Sequence, residues 1–157
     1  MSELTIALED FDTFLPMFKL VMDKTISNEV APKSLQAIRV KPGRDYVKLR
    51  LLADNNKLRI FTVRDSNNTL AACAVFIIDT HLNFDGLIFA TPTIYYVMPE
   101  YRRKGIGSKL FAVAEQGLAA LGVRAVITGG KTYLPFNAFW DKLGYEPIEV
   151  MYLKTIG

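Results

Sequence analysis

The sequence predicts one mixed α/β (α+β) domain, and three observations predict it. Runs rich in β-branched and aromatic residues, separated by polar turns, follow one another from residue 57 to residue 98 like a meander. After them the pattern switches to strand, helix, strand, helix, strand. Half of the 157 residues are apolar and 22% are charged, enough for a single sizeable core. No repeat, low-complexity tract or linker interrupts the chain, so residues 1–157 read as a single domain.

The elements follow in order. "LTIAL" has the length and composition of a short strand. In "EDFDTFLPMFKLVMDK" the residues Phe14, Leu15, Phe18, Val21 and Met22 recur at helical spacing, with aspartates in the first turn. Pro16 is tolerable only near that helix's start. A second helix begins at "PKSLQAIRV" and is broken by Pro42-Gly43, and "RDYVKLRLLADNN" makes a third, short one. "KLRIFTVRD", "SNN" and "TLAACAVFIIDTHL" read as strand, tight turn and strand. "NFDG" is a second turn, and "LIFATPTIYYVM" a further strand in which Pro92 calls for a bulge or an unpaired edge. "GSKLFAVAEQGLAALG" is a helix with Leu110, Val113, Ala114 and Leu118 inward, closed by Gly122. "VRAVITGG" reads as a buried strand, "LPFNAFWDKLG" as a short helix and "YEPIEVMYLKTIG" as a last strand.

Composition removes several functional classes. No apolar stretch approaches the roughly 20 residues that span a bilayer, so no membrane association is expected. "MSELTIALEDFDTF" lacks the cationic and apolar regions of a signal peptide. The single cysteine, Cys73, sits in a buried-strand setting and cannot close an internal disulfide, which suits a reducing cytoplasm. One His and one Cys exclude a His/Cys zinc site, and no metal is expected. The net charge of +3 is uneven: residues 1–32 hold six acids and two lysines, residues 33–50 six cations and one acid. The plain reading of 33–50 is a solvated helix face; the sharper one is a patch for an acidic partner or a cofactor phosphate. No nucleic-acid motif accompanies it, so nucleic acid is not the expected partner.

The stretch "YYVMPEYRRKGIGSKLF", residues 95–111, carries the chemistry. A strand ends at Val97-Met98, Pro99 stops its ladder, and a helix begins near Gly105. The first N–H groups of a helix have no intrahelical acceptor, and their partial positive charge adds to that of Arg102, Arg103 and Lys104. Glycine at 105 and 107 lets backbone approach an anion without an intervening Cβ. These residues suit a phosphate or pyrophosphate lying on a strand-to-helix turn. A Rossmann fingerprint would need glycine where Leu110 stands, and the P-loop pattern is absent.

In the frame "YYVMPEYRRKGIGSKLF" followed by a helix–strand unit and "FWDKLGYE", the chain resembles the GNAT superfamily of acetyl-CoA-dependent N-acyltransferases. The signature Q/R-x-x-G-x-G/A is matched by Arg102, Gly105 and Gly107, after the usual V-x-P-E-Y; the helix with "KLGY" matches the second signature. The resemblance is strong over residues 90–150 and architectural before them. It implies a mostly antiparallel central sheet with helices on both faces and a splayed strand pair that holds the cofactor. It implies that the CoA pyrophosphate rests on the amides of the turn Arg103, Lys104, Gly105, Ile106, Gly107 and Ser108, beside Arg102. The pantetheine arm would pair like an added strand with Tyr95, Tyr96 and Val97, and a bulge there would leave an N–H to polarise the thioester carbonyl. Alternation puts one of Tyr95 and Tyr96 in the core and the other toward the cleft.

Two catalytic roles stay open. The family often places a tyrosine four residues before the glycine of the second block, as acid to the departing thiolate; here that position is Trp140, which cannot serve. Tyr133 replaces the asparagine usual seven residues earlier, while Asn137 lies nearer to the block. Either Tyr133 is the acid, or none is needed for a thiolate with pKa near ~8.5. Core packing under the cofactor is the plain reading of Trp140. For the base, His81 comes first and Asp79 second, in a cluster with Asp85 at the end of the hairpin.

The resemblance thus implies a cytoplasmic N-acetyltransferase that moves an acetyl group from acetyl-CoA to a primary amine of a small molecule or protein. Attack would be direct, in a ternary complex, because Cys73 lies mid-run in an apolar strand and makes a poor covalent carrier. A non-catalytic CoA-binding or protein-interaction module of the same fold is the rival, and a homodimer is compatible with either.

Overall fold

The structure, a computed structural model, describes residues 3–26, 33–39, 44–130 and 137–156. They divide into two units, Met1–Val21 with Asp45–Thr128, and Met22–Arg44 with Gly129–Gly157.

The first unit is organised by a five-stranded sheet. β1 (Thr5–Glu9), β2 (Leu58–Arg64), β3 (Leu70–Thr80) and β4 (Ile88–Val97) pair antiparallel in that order, and β5 (Ala125–Val126) joins β4 in parallel. The sheet is mixed and mostly antiparallel, as expected. Short polar turns make the meander possible. Between β2 and β3 the Asp65 carboxylate accepts the N–H groups of Asn67 and Thr69, both at 2.9 Å, and Asn68 takes a left-handed φ of 62°.

Alternation sorts the sheet's side chains onto two faces. On one, Phe76 and Tyr95 meet Phe111 of helix α4 (Ile106–Ala120), with ring centroids 5.7 and 4.9 Å apart. The other face carries Leu58, Ile60, Cys73 and Val75, all buried, so the sheet is covered on both sides. Helices α1 (Phe11–Ile26) and α3 (Tyr46–Asp54) meet through Phe18 and Tyr46, and through Arg50, which pairs with Asp12 at 2.6 Å and lies over the Phe11 ring. Both helices start on an aspartate whose carboxylate accepts an orphan amide, Thr13 N–H to Asp10 and Lys48 N–H to Asp45. α4 ends as Gly122 requires. Its φ is 86°, Gly122 N–H donates to Ala119 and Val123 N–H to Leu118, and Leu118 and Val123 are buried together.

Two expectations need correction. Val113 is not inward but 37% exposed; the buried stripe of α4 is Ile106, Leu110, Phe111, Ala114 and Leu118. At about 100° per residue that stripe is centred beside 110 and 114, and Val113 falls at its margin while the larger Phe111 takes the sheet-facing place. The last expected strand is not formed either: residues 145–156 have no regular structure, and Val150 and Tyr152 are 74% and 92% exposed. β-forming residues make a strand only where a neighbouring ladder receives them.

In the second unit the described elements are the end of α1 from Met22, α2 (Lys33–Ala37) and α5 (Asn137–Lys142). The bond from Tyr145 N–H to Trp140 O and that from Gly144 N–H to Asp141 O close α5, with Gly144 at φ 84°. The "KLGY" block is therefore a helix stop.

Candidate active site

β4 supplies the frame of the site. Its pairing with β3 skips a residue: Val75 is opposite Ile94, Phe76 opposite Pro92, and Thr93 is the extra residue of a bulge. Proline has no N–H for the ladder, and of the two outcomes it allowed, a bulge or an unpaired edge, the bulge is the one that forms. Toward β5, pairing is limited to Phe89 and Ala90 against Ala125 and Val126, extended by Arg124 N–H to Ile88 and Ile127 N–H to Ala90. β4 runs on to Val97 beyond that pairing. A bulge and a parting strand pair thus coincide on one strand.

At the end of β4 the chain turns through a 3-10 turn, Pro99–Tyr101, into α4. Two residues of this turn are left-handed, Arg103 at φ 60° and Gly105 at φ 72°. Glycine is natural there, but for arginine the conformation costs about 1–2 kcal/mol, strain of a kind that gathers at functional sites. Gly105 is the N-cap residue and no side chain caps α4 among the described residues. A Cβ built on Gly105 would meet nothing within 4 Å, so open space lies over it. Ile106 is buried beneath, while Arg102, Arg103 and Lys104 are exposed. The arrangement fits a diphosphate: open amides, a helix N-terminus, nearby cations and room for the anion.

The cations are not equivalent. Arg102 folds back, its Nε donating to Val97 O at 2.9 Å and its guanidinium lying over the Tyr96 ring at 5.3 Å. Lys104 lies over the Tyr101 ring at 5.7 Å, and the Tyr101 hydroxyl donates to Asp65 Oδ2 at 2.8 Å. Tyr95 and Tyr96 point to opposite faces, Tyr95 toward Phe111, where burial pushes its phenol up to about 12. Val97 lends its carbonyl to Arg102.

His81 and Asp79 come together at the far end of the β3–β4 hairpin, where both have structural work. His81 Nδ1 accepts Asn83 N–H at 3.1 Å, and its ring packs on Phe84 and Phe89. Asp79 accepts Thr80 N–H and the Lys57 ammonium, and these bonds hold its carboxyl below the usual range. Asp79 is opposite Phe89 and the bulge is at Thr93, so the cluster lies roughly 13 Å along the strand from the bulge at about 3.3 Å per residue. Arg103, Lys104, Gly105, Ile106, Gly107 and Ser108 are thus brought to one turn, and His81 and Asp79 are not near it. Tyr133 lies outside the described residues. Asn137 and Trp140 belong to α5 in the second unit, where Trp140 packs on Phe139 and Tyr145. The sequence reading missed Asp65, because nothing local ties it to Tyr101, 36 residues away.

A bulge on β4, the end of its pairing with β5, and an uncapped, glycine-led helix turn after it make a frame that suits an extended, phosphate-bearing ligand. The chain belongs to the Acetyltransferase (GNAT) family, whose profile matches residues 26–145. It is similar to the mycothiol acetyltransferase of Rothia mucilaginosa, 36% identical over an alignment of 102 residues that covers 61% of this chain and 27% of that protein. The chain therefore spans about a quarter of that relative's length. Its fold is similar to an acetyltransferase of Clostridium acetobutylicum solved with acetyl-CoA (TM-score 0.72, 13% identity, 97% of this chain and 96% of that one). It is similar also to glucosamine-6-phosphate N-acetyltransferase of Arabidopsis thaliana (0.70, 12%, 99% of each). A third likeness is to an aminoglycoside acetyltransferase from a soil metagenome (0.68, 16%, 98% and 97%). At these identities the structural likenesses establish the fold. Among the described residues no helix is long and apolar enough to cross a membrane.

Proposed function

We propose that the chain is an N-acetyltransferase that carries the acetyl group of acetyl-CoA to a primary amine by direct attack in a ternary complex, within a single domain. The observation that carries the reading is the sequence of features along one strand and its exit: the Thr93 bulge, the end of β4 at Val97 roughly 13 Å further on, and the uncapped turn at 103–108 that follows. The turn's amides and cations would hold the CoA diphosphate, with the pantetheine arm running back along Tyr95–Val97 to the bulge. There the amine nitrogen forms a bond to the thioester carbon, the C–S bond breaks, and the sulfur leaves as thiolate. An N–H at the bulge would steady the negative charge on the carbonyl oxygen. Cys73 is buried and its thiol pushed up to about 12 by that burial, which supports direct attack rather than an acyl-cysteine. The amine's proton would leave through water, with His81 or Asp79 acting at a distance, and Tyr133 is the proposed acid to the thiolate. A cytoplasmic location is proposed as the setting that suits Cys73, which is buried as a free thiol.

The acceptor class is proposed from the names of two proteins of similar fold, an aminoglycoside acetyltransferase and a glucosamine-6-phosphate N-acetyltransferase. Aminoglycosides, glucosamine-6-phosphate, polyamines and lysine peptides make the first panel. Thiol release from acetyl-CoA with that panel tests the reading; acetylated product with one of them supports it. Trp140 in the place of the family's usual tyrosine favours the non-catalytic rival, and CoA retained on purification with no thiol release for any amine would decide for it.

A further inference from the structure

The strained turn at 102–105 needs something to hold it, and the structure shows a brace on its outer side. Tyr101, the last residue of the 3-10 turn, donates its hydroxyl to Asp65 Oδ2 at 2.8 Å. Asp65 is itself immobilised: its other oxygen accepts Asn67 N–H and Thr69 N–H at 2.9 Å each, and its backbone N–H donates to Thr69 O. The hairpin tip between β2 and β3 is thereby a rigid post. Below it, Met98 N–H donates to Ala71 O at 2.9 Å, so the same hairpin grips the chain on both sides of Pro99. Above, the Tyr101 ring lies under the Lys104 ammonium. From Met98 to Lys104 the backbone has no ladder; besides these attachments it is held by the local turn bonds Tyr101 N–H to Met98 O and Arg102 N–H to Pro99 O and by the Arg102 fold-back onto Val97.

We propose that Asp65 and Tyr101 form a positioning pair that sets the 102–108 turn for the phosphates of its cosubstrate, although neither residue touches them. The proposal rests on the reading of the turn given above for its ligand, and on geometry alone for the brace. A hydroxyl-to-carboxylate bond is among the stronger neutral-to-charged hydrogen bonds, so its loss releases a turn that already holds two left-handed residues. The released turn samples conformations in which the 106–108 amides no longer converge, and the population competent to bind falls by the same factor.

Tyr101→Phe is the direct test, because it keeps the ring beneath Lys104 and removes only the hydroxyl. In the full chain without ligand, amide hydrogen exchange at 99–108 should rise several-fold in Tyr101→Phe and in Asp65→Asn, with the exchange of β3 unchanged. Acetyl-CoA should bind roughly five- to twentyfold more weakly to either variant, with KM raised and kcat nearly preserved. The double variant should be no worse than the weaker single one, since both act on the same bond: Tyr101→Phe removes it and Asp65→Asn leaves at most a neutral, weaker one. Exchange at 99–108 equal to that of the natural chain in Tyr101→Phe overturns the proposal, as does acetyl-CoA affinity within twofold. A natural chain that exchanges as expected but binds no acetyl-CoA would instead overturn the reading of the turn.

Discussion

Trp140 and Tyr145 meet twice: the N–H of Tyr145 donates to the Trp140 carbonyl at 3.0 Å, and their rings lie 5.2 Å apart. The hydrogen bond spans five residues and wraps the end of α5 around Gly144, whose φ of 84° excludes most side chains. The ring contact is the hydrophobic clasp that accompanies such a stop. Trp140 thus has a structural task independent of chemistry. Trp140→Phe should keep the clasp and most of the turnover, with a stability loss of about 1 kcal/mol. Turnover measured beside a thermal melt checks this. Activity lost without any change in melting would give the indole a role in the reaction.

Gly117 makes a sharper stability prediction. A Cβ on it would lie 2.9 Å from the Phe61 ring, closer than packing allows. Phe61 in turn meets Phe76 at 5.9 Å, and Phe76 meets Phe111, so the ring has little room to yield. Gly117→Ala should therefore destabilise by about 1–3 kcal/mol despite alanine's better helix propensity. Urea unfolding measures it; a variant as stable as the natural chain would show that α4 shifts freely.

The turn itself was legible from sequence because its signals are local. Gly105 follows three cations and precedes an apolar helix, and Pro92 cannot complete a ladder, so both the turn and the bulge announce themselves within a few residues. Gly122 and Gly144 mark helix ends for the same reason. What was not legible depends on register over distance. Asp65 reaches Tyr101 only because β2, β3 and β4 align their ends, and no residue near either shows it. Val113 differs from Leu110 by which of two neighbouring rows faces Phe76. Residues 145–156 carry strand-forming side chains, but a strand also needs a partner, which composition does not supply. His81 and Asp79 are neighbours in the sequence, but what each of them binds, Asn83 N–H for one and Lys57 for the other, depends on turn geometry and strand register that the sequence does not display.

Gly105 separates the conformational demand of the turn from its electrostatics. Its φ of 72° suits glycine, and nothing lies within 4 Å of a would-be Cβ. Gly105→Ala should thus cost about 1–2 kcal/mol of stability through the left-handed backbone alone. It should weaken acetyl-CoA by more than tenfold if the anion occupies the open space over it. Calorimetric titration gives the affinity and circular dichroism the fold. Equal affinity in a folded Gly105→Ala would remove the diphosphate from this turn.

The last prediction concerns pH and the Glu9–Arg64 pair. Glu9 Oε1 accepts from Arg64 Nε and from the Thr62 hydroxyl, each at 2.6 Å, and the two charged side chains are only 11% and 17% exposed. Burial pushes the Glu9 carboxyl up, but the bonds from Arg64 and Thr62, with the arginine's charge, outweigh it and leave the group below its ordinary 4.5. A carboxyl depressed in the folded state contributes stability above its unfolded value, and that contribution is lost as pH falls through the folded value. Asp10, Asp12, Asp65 and Asp79 are depressed too and add to the same acid limb. The buried Cys73 thiol, raised from 9.0 to about 12, works oppositely: its contribution is whole below 9 and is lost as pH rises toward 12. The melting temperature should therefore be flat from about pH 5 to 9 and fall on either side. Glu9→Gln should lower stability by about 1–2 kcal/mol at pH 7, less than a fully buried pair because some water reaches it. The gap from the natural chain should narrow as pH drops below 4.5, where the carboxyl protonates anyway. A gap that stays constant from pH 7 to pH 3 would mean that the charge of Glu9 does not stabilise the fold and that only its shape matters.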